Sequence, residues 1–467
     1  MNNNCYTLSA SFRDPSGFLF TQNAVLYRQI NSEYQPVYEK LINSGLFQSL
    51  TKKGWLIPHE EMTDIEPAKS EICFRIIKPE LVEFISYPYE WSFSQLKDAA
   101  LLTLKILKMA IEKGLILKDA SAYNIQFHRG KPVLIDTLSF DDYKEGKPWD
   151  AYRQFCQHFL APLALMAKVD IRLNQLMRVY IDGIPLDLAA SLLPWSSKLN
   201  LGLMTHLHLH ATAQKKYSET IENEHNKPGV SKLGLLGLID SLENTIKSLN
   251  WEPKGTEWAE YYDITNYSSA AFEKKKNIVR EFLNLAGGKT IWDFGANTGE
   301  FSRTAHIEKG LVISFDIDPA AVEKNYLEVK RTKEIGILPL VLDLTNPSSG
   351  IGWANQERDS LCDRGPADVV MALALIHHIC ISNNVPFENF ADYLQSLGKY
   401  LVIEFVPKED SQVKVLLITR KDIFPHYTIE GFETAFLPYF EMVKKVPVEG
   451  SLRFLYLMKN KSFKTNL

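Results

Sequence analysis

The spacing of apolar residues changes character along this chain, and that change predicts its organisation. Residues 1–213 carry short strand-like apolar runs that lead into strongly apolar helical segments. One helix is predicted from Phe93 to Lys113 and another from Trp149 to Met166, its apolar residues crowding toward Ala161-Pro162. The stretch Ala213 to Val230 is polar and charged and closes on Pro228-Gly229, which predicts a surface linker. From Leu233 to Leu249 apolar residues recur at helical spacing, predicting a connecting amphipathic helix. From about Thr256 onward strands and helices alternate, the pattern of an α/β fold with a mainly parallel sheet. The expected division is therefore 1–213, a linker and helix over 214–254, and a second domain over 255–467. No repeat of solenoid period and no low-complexity tract is present.

Length agrees with that division, because 467 residues exceed what one hydrophobic core organises. Hydrophobic residues at 45% and charged residues at 23% are ordinary globular values, and a net charge of −4 gives no basic field. Nucleic acid is thus not an expected partner. The apolar run Phe159 to Ala167 is too short to span a bilayer, so membrane insertion is not expected. Five scattered cysteines without a CxxC pair, and no secretory pattern after Met1, make a reducing, cytoplasmic setting the expected one.

The richest chemistry lies between Lys289 and Phe301. An apolar strand ends at Asp293, a small-residue turn follows, and a helix begins near Glu300. Gly295 and Gly299 allow dihedrals that a Cβ would oppose and let the backbone approach a ligand. The spacing Asp-x-Gly-x-x-x-Gly is not the three-glycine dinucleotide fingerprint, and Glu300 would repel a phosphate at the helix start. A ligand carrying positive charge fits better. Leu311 to Asp316 is a second strand ending in an acid, where a carboxylate suits a ribose diol. Ile337 to Leu342 is a third, ending at Asp343-Leu344. A fourth runs from Asp368 to Leu375 into Ile376-His377-His378, and a fifth from Tyr400 to Phe405.

These ordered motifs resemble the class I, Rossmann-like S-adenosylmethionine-dependent methyltransferases over residues 255–460. The resemblance implies a sheet with helices on both faces and an antiparallel last strand within Gly450 to Met458. It also implies that Asp293, Phe294, Gly295, Asn297 and Gly299 frame the methionine and ribose portion of S-adenosylmethionine. Asp316 would hold the ribose hydroxyls, and Asp343 with Leu344 the adenine. Asn297 stands where the family usually has a third glycine. His377 and His378 fall on the rim where acceptors bind. One reading makes them a general base for an acceptor that must lose a proton, and the other has them pack and shape the donor pocket. No Asn-Pro-Pro-Tyr follows the fourth strand, so planar amide or adenine nitrogens are not the expected acceptors. Trp258, Tyr261, Tyr262 and Tyr267 would form either an aromatic lid or the packing of an N-terminal helix.

The first region has its own constellation. Asp119, Asn124 five positions on, and Asp136 at the end of the strand-like run Lys131 to Ile135 would converge on a divalent metal and nucleotide phosphates. Their order resembles the catalytic and metal loops of protein-kinase-like and aminoglycoside-phosphotransferase-like enzymes. That implies an α+β bilobal domain, Asp119 as catalytic acid, Asn124 and Asp136 as magnesium ligands, and ATP. Glu83 to Pro88 would then supply the strand and hinge between lobes, and Arg28 the position of the nucleotide lysine. Departures are evident: Leu117-Lys118 precede the acid, Thr137 follows Asp136, and Arg13 to Tyr27 hold one glycine, Gly17. Arg153, His158 and the alternating His206, His208 and His210 are expected to be structural, with a zinc site the alternative for the last three.

The chain as a whole is similar to nodulation-associated methyltransferases of bacteria. That implies methylation of a small-molecule or glycan acceptor, with the kinase-like region serving recognition or regulation. A bifunctional kinase–methyltransferase and a non-catalytic binding scaffold are the alternatives.

Overall fold

Ser92 begins the long helix Phe93–Glu112 with a reciprocal cap. Its Oγ accepts the Gln95 N–H, and Gln95 Oε1 accepts the Ser92 N–H at 2.9 Å. Behind that cap, twelve side chains of the helix are buried, so it is apolar over most of its circumference and organises the core around it. The computed structural model describes residues 5–210, 229–254, 269–306, 310–418 and 421–463. The expected linker, apart from its last two residues, Gly229 and Val230, and the aromatic set Trp258, Tyr261, Tyr262 and Tyr267 lie outside the described residues. The chain divides into two compact units. The first is Met1–Glu252 together with Gly350–Arg358, and the second is Pro253–Ser349 together with Asp359–Leu467.

The first unit opens with strands β1 (Cys5–Thr7), β2 (Gly17–Gln22), β3 (Val25–Asn31), β4 (His59–Met62) and β5 (Cys73–Pro79). They form an antiparallel sheet in the order β1-β2-β3-β5-β4, with helices Gln35–Asn43 and Leu46–Lys52 inserted between β3 and β4. The strand expected at Glu83 to Pro88 is absent. The Ser86 N–H goes instead to the Gln126 side chain and the Tyr87 N–H to the Glu90 carboxylate, each at 2.9 Å. With side chains satisfying its donors and Pro88 opening a short helical turn, that segment has no strand to pair with. Beyond Phe93–Glu112 come β6 (Leu115–Leu117), β7 (Ile125–His128), β8 (Lys131–Leu134) and β9 (Phe140–Asp142), paired as β6 with β9 and β7 with β8. The helix predicted over 233–249 spans Lys232–Ser248 and packs within this unit, where Lys108 Nζ meets Asp240 Oδ1 at 2.5 Å and also the Glu243 carboxylate.

The second unit holds β10 (Thr290–Phe294), β11 (Leu311–Asp316), β12 (Ile337–Val341), β13 (Ala367–Ala372), β14 (Gly398–Phe405), β15 (Phe440–Pro447) and β16 (Phe454–Asn460). The sheet order is β12-β11-β10-β13-β14-β16-β15. The first five strands of that order run parallel, and β16 enters antiparallel against β14. Parallel strands must be joined by crossovers, which is why helices such as Pro319–Thr332 and Phe387–Leu397 separate them. On one face Val279 and Phe282 of the helix Ser269–Ala286 close over Ile291, Val312, Val369, Met371 and Val402. Because both sheet faces are covered, the strands read as near-continuous apolar runs. The order reverses between β10 and β13, so the carboxyl ends of those strands flank a crevice.

Candidate functional site: a glycine turn and a buried charge cluster

The turn after β10 is built as its glycines require. Gly295 has φ +73° and Gly299 φ +88°, and Asn297 between them has φ +50°. A Cβ on Gly299 would lie 2.5 Å from Asn325 Oδ1, and one on Gly295 would lie 3.3 Å from Leu375. Asn297 and other asparagines tolerate this left-handed region better than most side chains, which accounts for its taking a glycine's place.

The turn is fastened to the end of β11. The Asn297 N–H donates to Asp316 Oδ2 at 2.7 Å, and the Asp318 N–H donates to Asp316 Oδ1 at 2.8 Å. Burial pushes the Asp316 carboxyl up to about 6, even though these backbone donors favour its charged form. Asp293 is buried beneath the turn, where Oδ2 accepts the Ser302 hydroxyl at 2.6 Å and Ser302 in turn accepts from Ser314 at 2.7 Å. Burial raises Asp293 to about 7, against the lowering effect of Ser302. Phe294 is buried and stacks on Phe315 at 5.1 Å. Asp343 and Leu344 are partly exposed after β12, and Asp343 Oδ1 already accepts the Thr345 N–H and hydroxyl at 2.8 and 2.6 Å. The predicted donor residues thus gather at the carboxyl ends of β10, β11 and β12.

His377 and His378 follow β13 with ring centroids 4.1 Å apart. His377 is buried, and its Nδ1 has no hydrogen-bond partner among the described residues. Burial, then the neighbouring His378, Arg453 and Lys275 charges, hold its imidazole well below the ordinary range. Burial and Arg453 bring His378 down to about 4. Lys275 Nζ contacts Glu404 Oε2 at 2.6 Å with both side chains buried. Arg453 meets Asp410 through Nε at 2.7 Å and Nη2 at 3.0 Å, and lies 3.6 Å from Glu404.

In the first unit Asp119, Asn124 and Asp136 come together through Ser139. Asn124 Nδ2 donates to the Ser139 hydroxyl at 3.2 Å, and that hydroxyl donates to Asp136 Oδ2 at 2.5 Å. Burial raises the Asp119 carboxyl, with the Asp136 charge second, while Ser121, Asn124 and Gln154 hydrogen bonds oppose them. Arg28 Nη1 sits 2.6 Å from Asp136 Oδ1, and its Nη2 is 3.5 Å from Asp14 Oδ2. His158 is buried under the same loop as acceptor of the Ala122 N–H at 3.4 Å. His206 bridges the Tyr152 and Ser241 hydroxyls, each at 2.8 Å, and His208 meets Ser197 at 2.8 Å. Those histidines are helical and hydrogen-bonded. Among the described residues no group of three or more His, Cys, Asp or Glu is placed to hold a metal ion.

No family model matches the chain. It is 33% identical over 459 residues to the nodulation protein NoeA of Rhizobium meliloti (strain 1021), covering 96% of this chain and 95% of that protein. The chain belongs to the NoeA family. Among solved structures it is similar to the magnesium protoporphyrin IX methyltransferase ChlM of Synechocystis PCC 6803 with bound SAH. That match has 16% identity, 44% of this chain, 93% of that one and a TM-score of 0.31. It is also similar to the N-methyltransferase NodS of Bradyrhizobium japonicum WM9 in complex with S-adenosyl-L-homocysteine, at 12% identity, 44% of this chain, 94% of that one and TM-score 0.33. A third similarity is to WbdD, at 14% identity over 46% of each chain and TM-score 0.28.

Sequence reasoning missed several members of this NoeA-family site. Lys275, Glu404, Asp410 and Arg453 come from four separate segments, and only the fold shows that they meet. Ser302 and Ser314 were equally hidden, because their hydroxyls matter through Asp293 rather than through any motif. A Lys in the middle of an amphipathic helix at a buried position was the one signal available, and it needs the helix's inward face to be known first.

Proposed function

We propose that this NoeA-family protein is an S-adenosylmethionine-dependent methyltransferase acting on a small-molecule or glycan acceptor. The observation that carries this reading is the joint between Asn297 and Asp316. A turn with two glycines at positive φ is clamped to an acid at the end of the neighbouring parallel strand, beside the point where strand order reverses. The antiparallel β16 supports the same reading, since an antiparallel last strand belongs to the class I fold. S-adenosylmethionine, when bound, supplies a methyl group on a sulfonium. Asp316 would accept its ribose hydroxyls, Gly295 and Gly299 leave room for it beside the backbone, and Asp343 and Leu344 would meet the adenine. The residues fit such a group, because the Asp316 carboxylate ends β11 beside a turn whose two glycines leave its backbone open to a ligand.

His377 and His378 would then orient the acceptor. Held neutral, they can accept a hydrogen bond from a hydroxyl or amine, but imidazoles with depressed pKa are weak proton sinks. The reaction is a displacement in which positioning does most of the work.

The first unit is read as kinase-like and as serving acceptor recognition. The β1-β2-β3-β5-β4 sheet, the β6–β9 and β7–β8 pairs, and the meeting of Asp119, Asn124 and Asp136 support the kinase-like part. Recognition is favoured over phosphotransfer because Arg28 and Ser139 already occupy both Asp136 oxygens, where a magnesium ion would bind. Calorimetry of the full chain with S-adenosylhomocysteine tests the main reading. Binding by the wild type that is lost in Asp316→Ala supports it, and no binding by the wild type overturns it. ATP with magnesium, titrated in the same way against Asp136→Ala, separates the bifunctional alternative.

A further inference from the structure

The first unit has a concavity, of about 600 Å³, that none of Asp119, Asn124 and Asp136 lines. It lies where β1 ends, β2 begins and β3 ends. Two of its aromatic walls are open to solvent, Phe12 at 55% and Trp353 at 72% exposure. Asp14, Asn31 and Gln356 supply its polar side. Lys69 is the cation in the lining, and its Nζ sits 5.3 Å over the Phe18 ring.

The indole of Trp353 is held out rather than left loose. Gly352, Ala354 and Asn355 around it all have positive φ, at +83°, +54° and +59°. Left-handed backbone at alanine is costly and persists only where its surroundings enforce it. Here the enforcement is visible. Ile351 bridges to Arg358, Glu357 holds Arg13 through Nε at 2.9 Å and Nη2 at 2.7 Å, and the Arg358 guanidinium lies 4.6 Å over the Tyr123 ring. A strained turn anchored at its C-terminal end thus keeps a large apolar ring in water, a cost that ordinary packing would avoid.

We propose that this cavity binds a neutral carbohydrate, stacking the apolar face of a sugar ring on Trp353 while Asp14, Asn31 and Gln356 meet its hydroxyls. Rigid amphipathic rings with adaptable carboxylate and amide neighbours match a ligand with one apolar face and a hydroxyl-bearing edge. A nucleotide fits poorly, since the single lining cation faces a phenyl ring and the Asp14 carboxylate would repel phosphate. The site is joined to the Asp119, Asn124 and Asp136 set, because Arg28 touches both Asp14 and Asp136. The inference rests on the reading of the first unit as an acceptor-recognition module, and makes that acceptor a glycan.

The test is to apply the full chain to an array of defined neutral and acidic oligosaccharides, then titrate the retained sugar by calorimetry. S-adenosylhomocysteine is titrated in parallel. Wild type should retain neutral oligosaccharides, Trp353→Ala should weaken that binding at least tenfold, and Gln356→Ala about threefold, with S-adenosylhomocysteine affinity unchanged. If Trp353→Ala melts early, Gln356→Ala and Phe12→Ala decide. A protein that binds S-adenosylhomocysteine yet retains no neutral sugar, or retains it undiminished in these variants, overturns the carbohydrate site and leaves the methyltransferase reading standing. Sugar retained without S-adenosylhomocysteine binding does the reverse.

Discussion

Lys275 reaches across from the helix Ser269–Ala286 to place its Nζ 2.6 Å from Glu404 Oε2 on β14, both side chains out of water. Burial pulls the ammonium below its ordinary value while the Glu404 charge and hydrogen bond pull it back. Breaking such a pair from one side strands a buried charge, at about 3–5 kcal/mol. Lys275→Met should therefore lower the melting temperature sharply, and Lys275→Met with Glu404→Leu should recover much of the loss. Thermal unfolding of the two variants checks this, and equal losses would mean that the pair is not acting as one.

Asp316 is expected to matter for the donor more than for the fold. Asp316→Asn keeps an oxygen for the Asn297 or Asp318 N–H, so stability should change by no more than about 1–2 kcal/mol. S-adenosylhomocysteine affinity should fall at least about tenfold, the scale of one lost charge-assisted hydrogen bond. Unchanged affinity in calorimetry would remove Asp316 from the donor site.

Stability of the second unit should carry the mark of Asp293. Its folded pKa, about 7, lies above the unfolded value, so the native state holds a proton that the unfolded chain has released. That contribution is complete below the unfolded carboxyl pKa and is lost as pH rises through about 7. Asp293→Asn removes the penalty, so its melting temperature relative to wild type should climb between pH 5 and pH 8, by about 2 °C or more. A difference flat with pH would contradict the burial effect.

Arg28 is expected to stand in for a cation beside Asp136 and Asp14. Arg28→Ala leaves both carboxylates without it and should lower stability in metal-free buffer. Magnesium should restore part of that loss in the variant and do little for wild type. Melting curves with and without magnesium distinguish these cases, and a variant indifferent to the ion would show that Asp119, Asn124 and Asp136 cannot hold one.

The turn and strand ends around Asp293 and Asp316 were readable in the sequence because their parts are local. Asp293, Gly295 and Gly299 sit on one strand and turn, and each later acid ends its own apolar run, so spacing alone orders them. Leu311 to Asp316 is the strand predicted, residue for residue. The strand expected at Glu83 to Pro88 was misplaced because Gln126 and Glu90 side chains satisfy its backbone, a device that no window of sequence displays. The Lys275 cluster was hidden for the same reason of distance. So was Trp353, whose neighbours Phe12 and Asp14 lie at the other end of the chain.

Residues Gly350–Arg358 belong to the first unit although the strand β12 of the second precedes them. Synthesis runs from the amino terminus, and domains commonly fold as they emerge. Here Arg13 and Tyr123 leave the ribosome long before Glu357 and Arg358 exist to meet them. The first-made unit must wait, partly finished, until three strands of the later one have been translated, and a gene divided between codons 252 and 253 would deliver it incomplete.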